Sequence, residues 1–281
     1  MLDVRTPLSR ETRELFFRYD KDLELNTVER PLEAPEGIGR THFTISSTHD
    51  QRVPGILHTP DGPGPFPLVV MQHGAGSEKS AEYITRPAEY WALNEGWALL
   101  AIDAPRRGER ASEAFDRTRL WGMPYLWRDH AIQTAQDLMR ALDYAETRAE
   151  LDLGRVGYIG VSMGTILGVA FVALDQRVRT GVFTIGGSVT AARIAENAGG
   201  RAADLEIVSD LIDCASYAPM VSPRPVLMIN GLQDEVVPPA AGERLYAAFQ
   251  EPKRIKWYTG GHFGMTGKEF KLIREFLRET L

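Results

Sequence analysis

The sequence is poor in the features that would place it outside ordinary globular proteins. Among its 281 residues there is one cysteine, Cys214, so an internal disulfide framework is excluded as a source of stability. No uninterrupted apolar run is long enough for a membrane span, because the longest mostly apolar stretch, Tyr158 to Leu174, is broken by Ser162 and three glycines. Met1 to Glu14 carries charges throughout in place of the apolar core of a signal peptide, which with the lone cysteine sets the expectation of a reducing cytoplasm. Positive charge is not in excess: 32 Lys and Arg stand against 38 Asp and Glu, a net charge of -6. Such a surface repels nucleic acid and anionic lipid, so neither nucleic acid nor a membrane is expected as partner. There is no His-Glu-x-x-His or other tight ligand cluster, no P-loop and no Gly-x-Gly-x-x-Gly opening a strand-helix unit. No metal and no other cofactor is therefore expected. Internal repeats and low-complexity tracts are also missing, which excludes solenoids and propellers.

What is present is the material for one sizeable core, with 43% hydrophobic and 25% charged residues. Leu15, Phe16, Tyr19 and Leu23 have helical spacing, so Leu8 to Leu25 reads as a surface helix and Pro31 to Gly39 as a linker; residues 1–40 form an N-terminal extension. The main domain then runs over residues 41–281. Thr41 to Ser47 and Val53 to His58 alternate apolar and polar residues like a half-exposed antiparallel pair. Phe66 to Met71, Trp97 to Ile102, Val156 to Val161, Val182 to Ile185 and Val226 to Ile229 are short apolar runs without alternation, as in strands buried on both faces. Helical stripes separate them, one carrying Ala131, Ala135, Leu138 and Leu142, and the pattern closes with a strand, Arg254 to Tyr258, and a helix, Lys268 to Thr280. Strand and helix in alternation predict an α/β layer fold with a parallel sheet. Two segments fall outside the alternation, 104–128 and 188–224, and the second has room for a small lid.

The chemistry starts at Gly160-Val161-Ser162-Met163-Gly164, which follows a buried run and opens a helical stretch. Small residues flank a serine forced into a sharp turn between strand and helix. A serine hydroxyl needs a base to take its proton and a carboxylate to orient that base. His262, in Gly261-His262-Phe263-Gly264 after the last strand, is the best placed of six histidines, and Asp234 stands just past the strand ending at Ile229. A negative oxygen forming on the attacked carbonyl needs backbone N–H donors. Met163 supplies one, and the glycine-rich turn Gln72-His73-Gly74-Ala75-Gly76 the other, assigned to Ala75 before Gly74; His73 reads as structural.

With Ser162, Asp234 and His262 in that chain order, the sequence resembles the α/β-hydrolases. The His-Gly loop, Gly-x-Ser-x-Gly, Gly-x-x-Asp-x-x-Val-Pro and Gly-Gly-His elements cover Phe66 to the end, and their wording is similar to that of the dienelactone hydrolase-like and prolyl-oligopeptidase-like carboxylesterase branch. The resemblance implies an α/β-hydrolase fold with an eight-stranded, mostly parallel sheet flanked by helices, and a cofactor-free reaction in two steps through an acyl-enzyme. Two departures stand out: dienelactone hydrolases proper use a cysteine nucleophile where this chain has Ser162, and the large N-terminal propeller of the peptidases is missing. The expected activity is that of a serine carboxylic ester hydrolase acting on small to medium soluble esters. An amidase or exopeptidase, and a non-catalytic ligand-binding protein on a hydrolase scaffold, are the alternatives, and a homodimer is compatible with the unmatched N-terminal segment.

Trp121, Met123, Tyr125 and Trp127 cluster without helical period in the first long connection, and are expected to line the substrate pocket. Arg106, Arg107 and Arg110 read as a solvated basic turn in preference to a clamp for a substrate carboxylate, and His130 as the start of the following helix.

Overall fold

The apolar runs become strands whose successive side chains feed two separate cores. In β4 (Phe66–Gln72), Leu68 and Val70 enter one core while Val69 and Met71 enter the other; β5 (Ala98–Ile102), β6 (Leu151–Val161), β7 (Val178–Thr184) and β8 (Val226–Gly231) do the same. Strands buried on both faces have no need of polar alternation, which is why their sequences read as continuous apolar runs. The computed structural model describes residues 8–112, 123–189 and 210–281.

Among these residues the sheet has nine strands in the order β1-β2-β3-β5-β4-β6-β7-β8-β9, with β1 Val28–Pro31, β2 Ile38–Ser46, β3 Arg52–Pro60 and β9 Lys253–Tyr258. Pairings from β1 through β3 to β5 are antiparallel and the rest parallel. The larger core lies under α1 (Arg10–Phe17), α3 (Pro124–Glu146), α4 (Met163–Leu174) and α5 (Pro239–Ala248); the smaller lies under α2 (Glu82–Glu95) and α6 (Gly267–Thr280). Chain order therefore alternates strand and helix across a three-layer α/β architecture.

The eight strands implied by the resemblance are β2 to β9. The ninth, β1, is an exposed edge strand at the mouth of the segment expected to be a linker, and its register sets Val28 opposite Thr44. The N-terminal helix is shorter than the spacing predicts. It ends at Phe17, and it turns Arg13 and Phe17 inward while Leu15 and Phe16 face solvent. Arg13 is drawn in by Asp210, 2.7 Å from its guanidinium, and Phe17 meets Tyr217 edge-on at 5.5 Å. A specific, partly buried ion pair and one aromatic contact have outweighed the apolar stripe.

Of the lid expected at 188–224, residues 190–209 lie outside the described residues. The remainder, from Asp210 onward, packs as core: Cys214, Tyr217, Ala218 and Val221 sit in two short 3-10 turns, Cys214–Ser216 and Ala218–Met220, and the residues just after them, and are buried in the larger core. No helix among the described residues is long and apolar enough to cross a membrane.

Candidate active site

Strand β6 ends at Val161 and α4 begins at Met163, leaving Ser162 alone to reverse the chain. Its backbone stands at φ 53° and ψ −111°, a conformation that L-residues avoid and that persists only when neighbours enforce it. The enforcement is visible. Ser162 N–H donates to the Thr184 carbonyl at 2.9 Å, and the Tyr158 hydroxyl donates to the Gly164 carbonyl at 2.7 Å. The flanking glycines are steric necessities: a Cβ on Gly164 would lie 2.2 Å from the Gln72 carbonyl oxygen of β4, and one on Gly160 would lie 2.7 Å from the Gly164 carbonyl oxygen.

Asp234 follows β8 and folds back on its own turn, where one carboxylate oxygen accepts from the N–H groups of Val236 at 2.9 Å and Val237 at 2.7 Å. Its other oxygen is 2.8 Å from Nδ1 of His262, which follows β9 on a turn that Gly260 makes at φ 154°. Nε2 of His262 is 2.9 Å from the Ser162 hydroxyl. A carboxylate can only accept, so Nδ1 carries the proton, Nε2 is left as acceptor, and the serine O–H donates to it. Asp234 and His262 are each only 4% exposed, so this relay is shielded from water.

The turn after β4 lies against Ser162, close enough that a Cβ on Gly74 would stand 3.5 Å from the serine Cβ. The Gly74 N–H already donates to the Tyr83 hydroxyl at 3.0 Å, whereas the Ala75 N–H has no acceptor among the described residues, and Ala75 borders the cavity over Ser162. Met163 contributes the first amide of α4. Three ties hold the turn from behind. His73 donates from Nδ1 to the Gly74 carbonyl at 2.8 Å and accepts at Nε2 from the Ala104 N–H at 3.0 Å; Arg107 donates to the Ala75 carbonyl at 2.5 Å; and Lys79 pairs with the buried Asp103 at 2.7 Å. Burial holds the His73 ring below its usual pKa, in keeping with a neutral tautomer that donates on one side and accepts on the other.

These ties revise the reading of the arginines. Arg107 and Arg110 are drawn into the protein, Arg110 donating to Asp137 at 2.6 Å and to the Asp103 carbonyl at 3.0 Å, so their charges are engaged internally and are not a solvated turn.

The cavity over Ser162 has a volume of about 610 Å³ and is walled chiefly by Met71, Ile159, Ile185, Met265, Phe270 and Ile273, with Val236 and Phe263 beside His262. Phe263, 88% exposed, stands edge-on to the His262 ring at 5.1 Å. The described members of the aromatic cluster read as pocket lie elsewhere. Helix α3 starts at Pro124, and its register turns Trp127 fully into the larger core and Tyr125 outward, with the Tyr125 hydroxyl on the Met123 sulfur. None of these three borders the Ser162 cavity, and Trp121 lies outside the described residues. His130 sits within α3, beside Trp127, fully buried. The walls that sequence reasoning missed come from α6, with Phe270 and Ile273, and from strand interiors. Among the described residues no group of three or more His, Cys, Asp or Glu side chains is arranged to hold a metal ion.

A mostly parallel sheet carrying a serine elbow after β6, a carboxylate turn after β8 and a histidine turn after β9 defines an enzyme of the α/β-hydrolase class. The sequence signature of the Dienelactone hydrolase family matches residues 53–271, and the chain belongs to that family. It is similar to the Bacillus subtilis (strain 168) protein YtaP, 29% identical over 161 residues, a stretch that spans only 52% of this chain and 52% of that protein. It is also similar to Esterase YjfP of Escherichia coli (strain K12), 28% identical over 235 residues that cover 77% of this chain and 90% of that one. In fold it is similar to the acetyl xylan esterase from Paenibacillus sp. R4, with a TM-score of 0.79, 21% identity, and 96% and 93% of the two chains covered.

Proposed function

We propose that this hydrolase cleaves carboxylic esters with small to medium apolar chains through an acyl-enzyme on Ser162. The observation that carries the reading is the unbroken relay from Asp234 through His262 to the Ser162 hydroxyl, at 2.8 and 2.9 Å, opening into an apolar cavity.

In the first step the Ser162 oxygen bonds to the ester carbonyl carbon while its proton passes to Nε2 of His262, and Asp234 stabilises the resulting imidazolium. The carbonyl oxygen becomes an oxyanion, met by the N–H groups of Met163 and Ala75, each contributing about 3 kcal/mol. Collapse breaks the bond to the alkoxy oxygen, which takes the proton from His262 and leaves as the alcohol. Water then repeats the sequence on the acyl-serine: its proton goes to His262, its oxygen to the acyl carbon, and Ser162 is restored as the acid departs.

Replacing Ser162 with Ala is expected to lower turnover of p-nitrophenyl acetate by at least about 10⁴-fold and to abolish labelling by a fluorophosphonate, with circular dichroism unchanged. Retained turnover in a folded Ser162→Ala protein would overturn the proposal. The anilide of the same acid, whose amine leaves less readily than an alcohol, is expected to react more slowly with the wild type.

A further inference from the structure

Tyr83 of α2 and Phe270 of α6 are walls of the Ser162 cavity, and the same two side chains are walls of a second cavity, also about 610 Å³, that lies between the two helices. Pro87, Tyr90 and Trp91 form one side of this groove, following Tyr83 at one-turn intervals along a single face of α2. Its far end is closed by Arg274, whose guanidinium lies 5.3 Å over the Tyr90 ring and donates to the Tyr90 hydroxyl at 2.6 Å. Tyr90 is 47% exposed, so the groove presents aromatic surface that no other part of the described chain covers.

The two partitions differ in how they are held. Tyr83 is tied by its hydroxyl to the Gly74 N–H and so to the turn beside Ser162. Phe270 has no polar anchor and is half-buried. We infer that the apolar chain of the ester extends from Ser162 past Phe270 into the groove between α2 and α6, with Phe270 setting the chain length at which this passage begins. The occupant is an unbranched hydrocarbon chain, because the groove is divided from the cavity only by two shared aromatic side chains and carries Pro87, Tyr90 and Trp91 along one side, with Glu82, Arg86, Lys271 and Arg274 also among its lining. This inference rests on the ester-hydrolase reading above.

Two substitutions test it from opposite directions. Phe270→Ala removes the partition. Gly267→Phe fills the groove from α6, where a Cβ meets no atom within 4 Å. The readout is the ratio of kcat/KM for an octanoyl or decanoyl chain to that for acetate, taken in a p-nitrophenyl alkanoate series and in a series of alkyl acetates. The ratio is expected to rise roughly tenfold in Phe270→Ala and to fall roughly tenfold in Gly267→Phe, the scale on which apolar pockets discriminate methylenes. A change confined to the alkanoates places the acyl chain in the groove, and one confined to the alkyl acetates places the alcohol chain there. A ratio within twofold of the wild type in Gly267→Phe, in both series, overturns the inference whatever Phe270→Ala does. Wild-type protein that neither hydrolyses acetate nor takes the fluorophosphonate label sinks the underlying reading as well, whereas normal acetate turnover with unmoved ratios sinks the groove alone.

Discussion

Asp234 divides its two carboxylate oxygens between tasks: one gathers the Val236 and Val237 amides, the other faces His262. Asp234→Asn can keep an oxygen on the amides but then turns an N–H donor toward the imidazole, favouring the tautomer that cannot accept from Ser162. The expected result is a loss in kcat of about 10⁴-fold with little change in the urea midpoint; a kcat within tenfold of the wild type would show that Asp234 does not set the tautomer. Ser162, Asp234 and His262 were legible because each sits in a short stretch whose glycines have a steric task, and such stretches survive as local patterns. The cavity wall was not. Ile273 and Phe270 recur on α6 at helical spacing, and nothing in sequence separates a stripe residue that touches another side chain from one that borders a cavity. Trp127 failed in the opposite direction, since two members of an aromatic cluster without visible period, Tyr125 and Trp127, lie in the first turn of α3.

At the scale of elements, the turn after β4 is held by the loop after β5 more than by its own hydrogen bonds. Asp103 anchors that loop: one carboxylate oxygen accepts from the Lys79 N–H at 3.0 Å, the other from the Lys79 ammonium at 2.7 Å and the Glu109 N–H at 2.9 Å, and Gly108, at φ 51°, lets the chain pass where a Cβ would fall 2.2 Å from the carboxylate. Lys79→Met leaves this buried carboxylate without its cation, and is expected to lower unfolding free energy by roughly 3–5 kcal/mol in urea titrations. A loss below about 1 kcal/mol would mean that the backbone amides alone satisfy Asp103. Buried strands and their alternation with helices were readable because both-face burial leaves an apolar run. β1 was not readable: its four residues are exposed and end in Pro31, so pairing with β2 by backbone alone left no mark on side-chain pattern.

Over the whole molecule, His58 and His130 join His73 in coupling folding to pH. His58 in β3 is buried, and desolvation first, with the Arg40 charge second, pushes its pKa down to about 4; His130 in α3 is lowered well below its usual value by burial and then by Arg107, Arg106 and Arg110. The folded chain keeps both rings neutral while the unfolded chain protonates them near the reference value of about 6.5, so unfolding takes up protons below that pH. Stability from His58 is complete above about 6.5 and is lost as pH falls towards 4. Urea unfolding between pH 7 and 4.5 should therefore show a shallower decline in His58→Asn than in the wild type, by up to about 1.4 kcal/mol per pH unit; parallel curves would refute the assignment. The order of the sheet also governs how the protein behaves in concentrated solution. Its two open margins are β1, with Glu29, Arg30 and an imino residue at Pro31, and β9, with Lys253, Arg254 and Lys256. Strands studded with charge, or unable to donate along their length, are poor templates for a neighbouring copy. The apolar strands that make the core are thus kept from seeding fibres by the two most highly charged strands of the set.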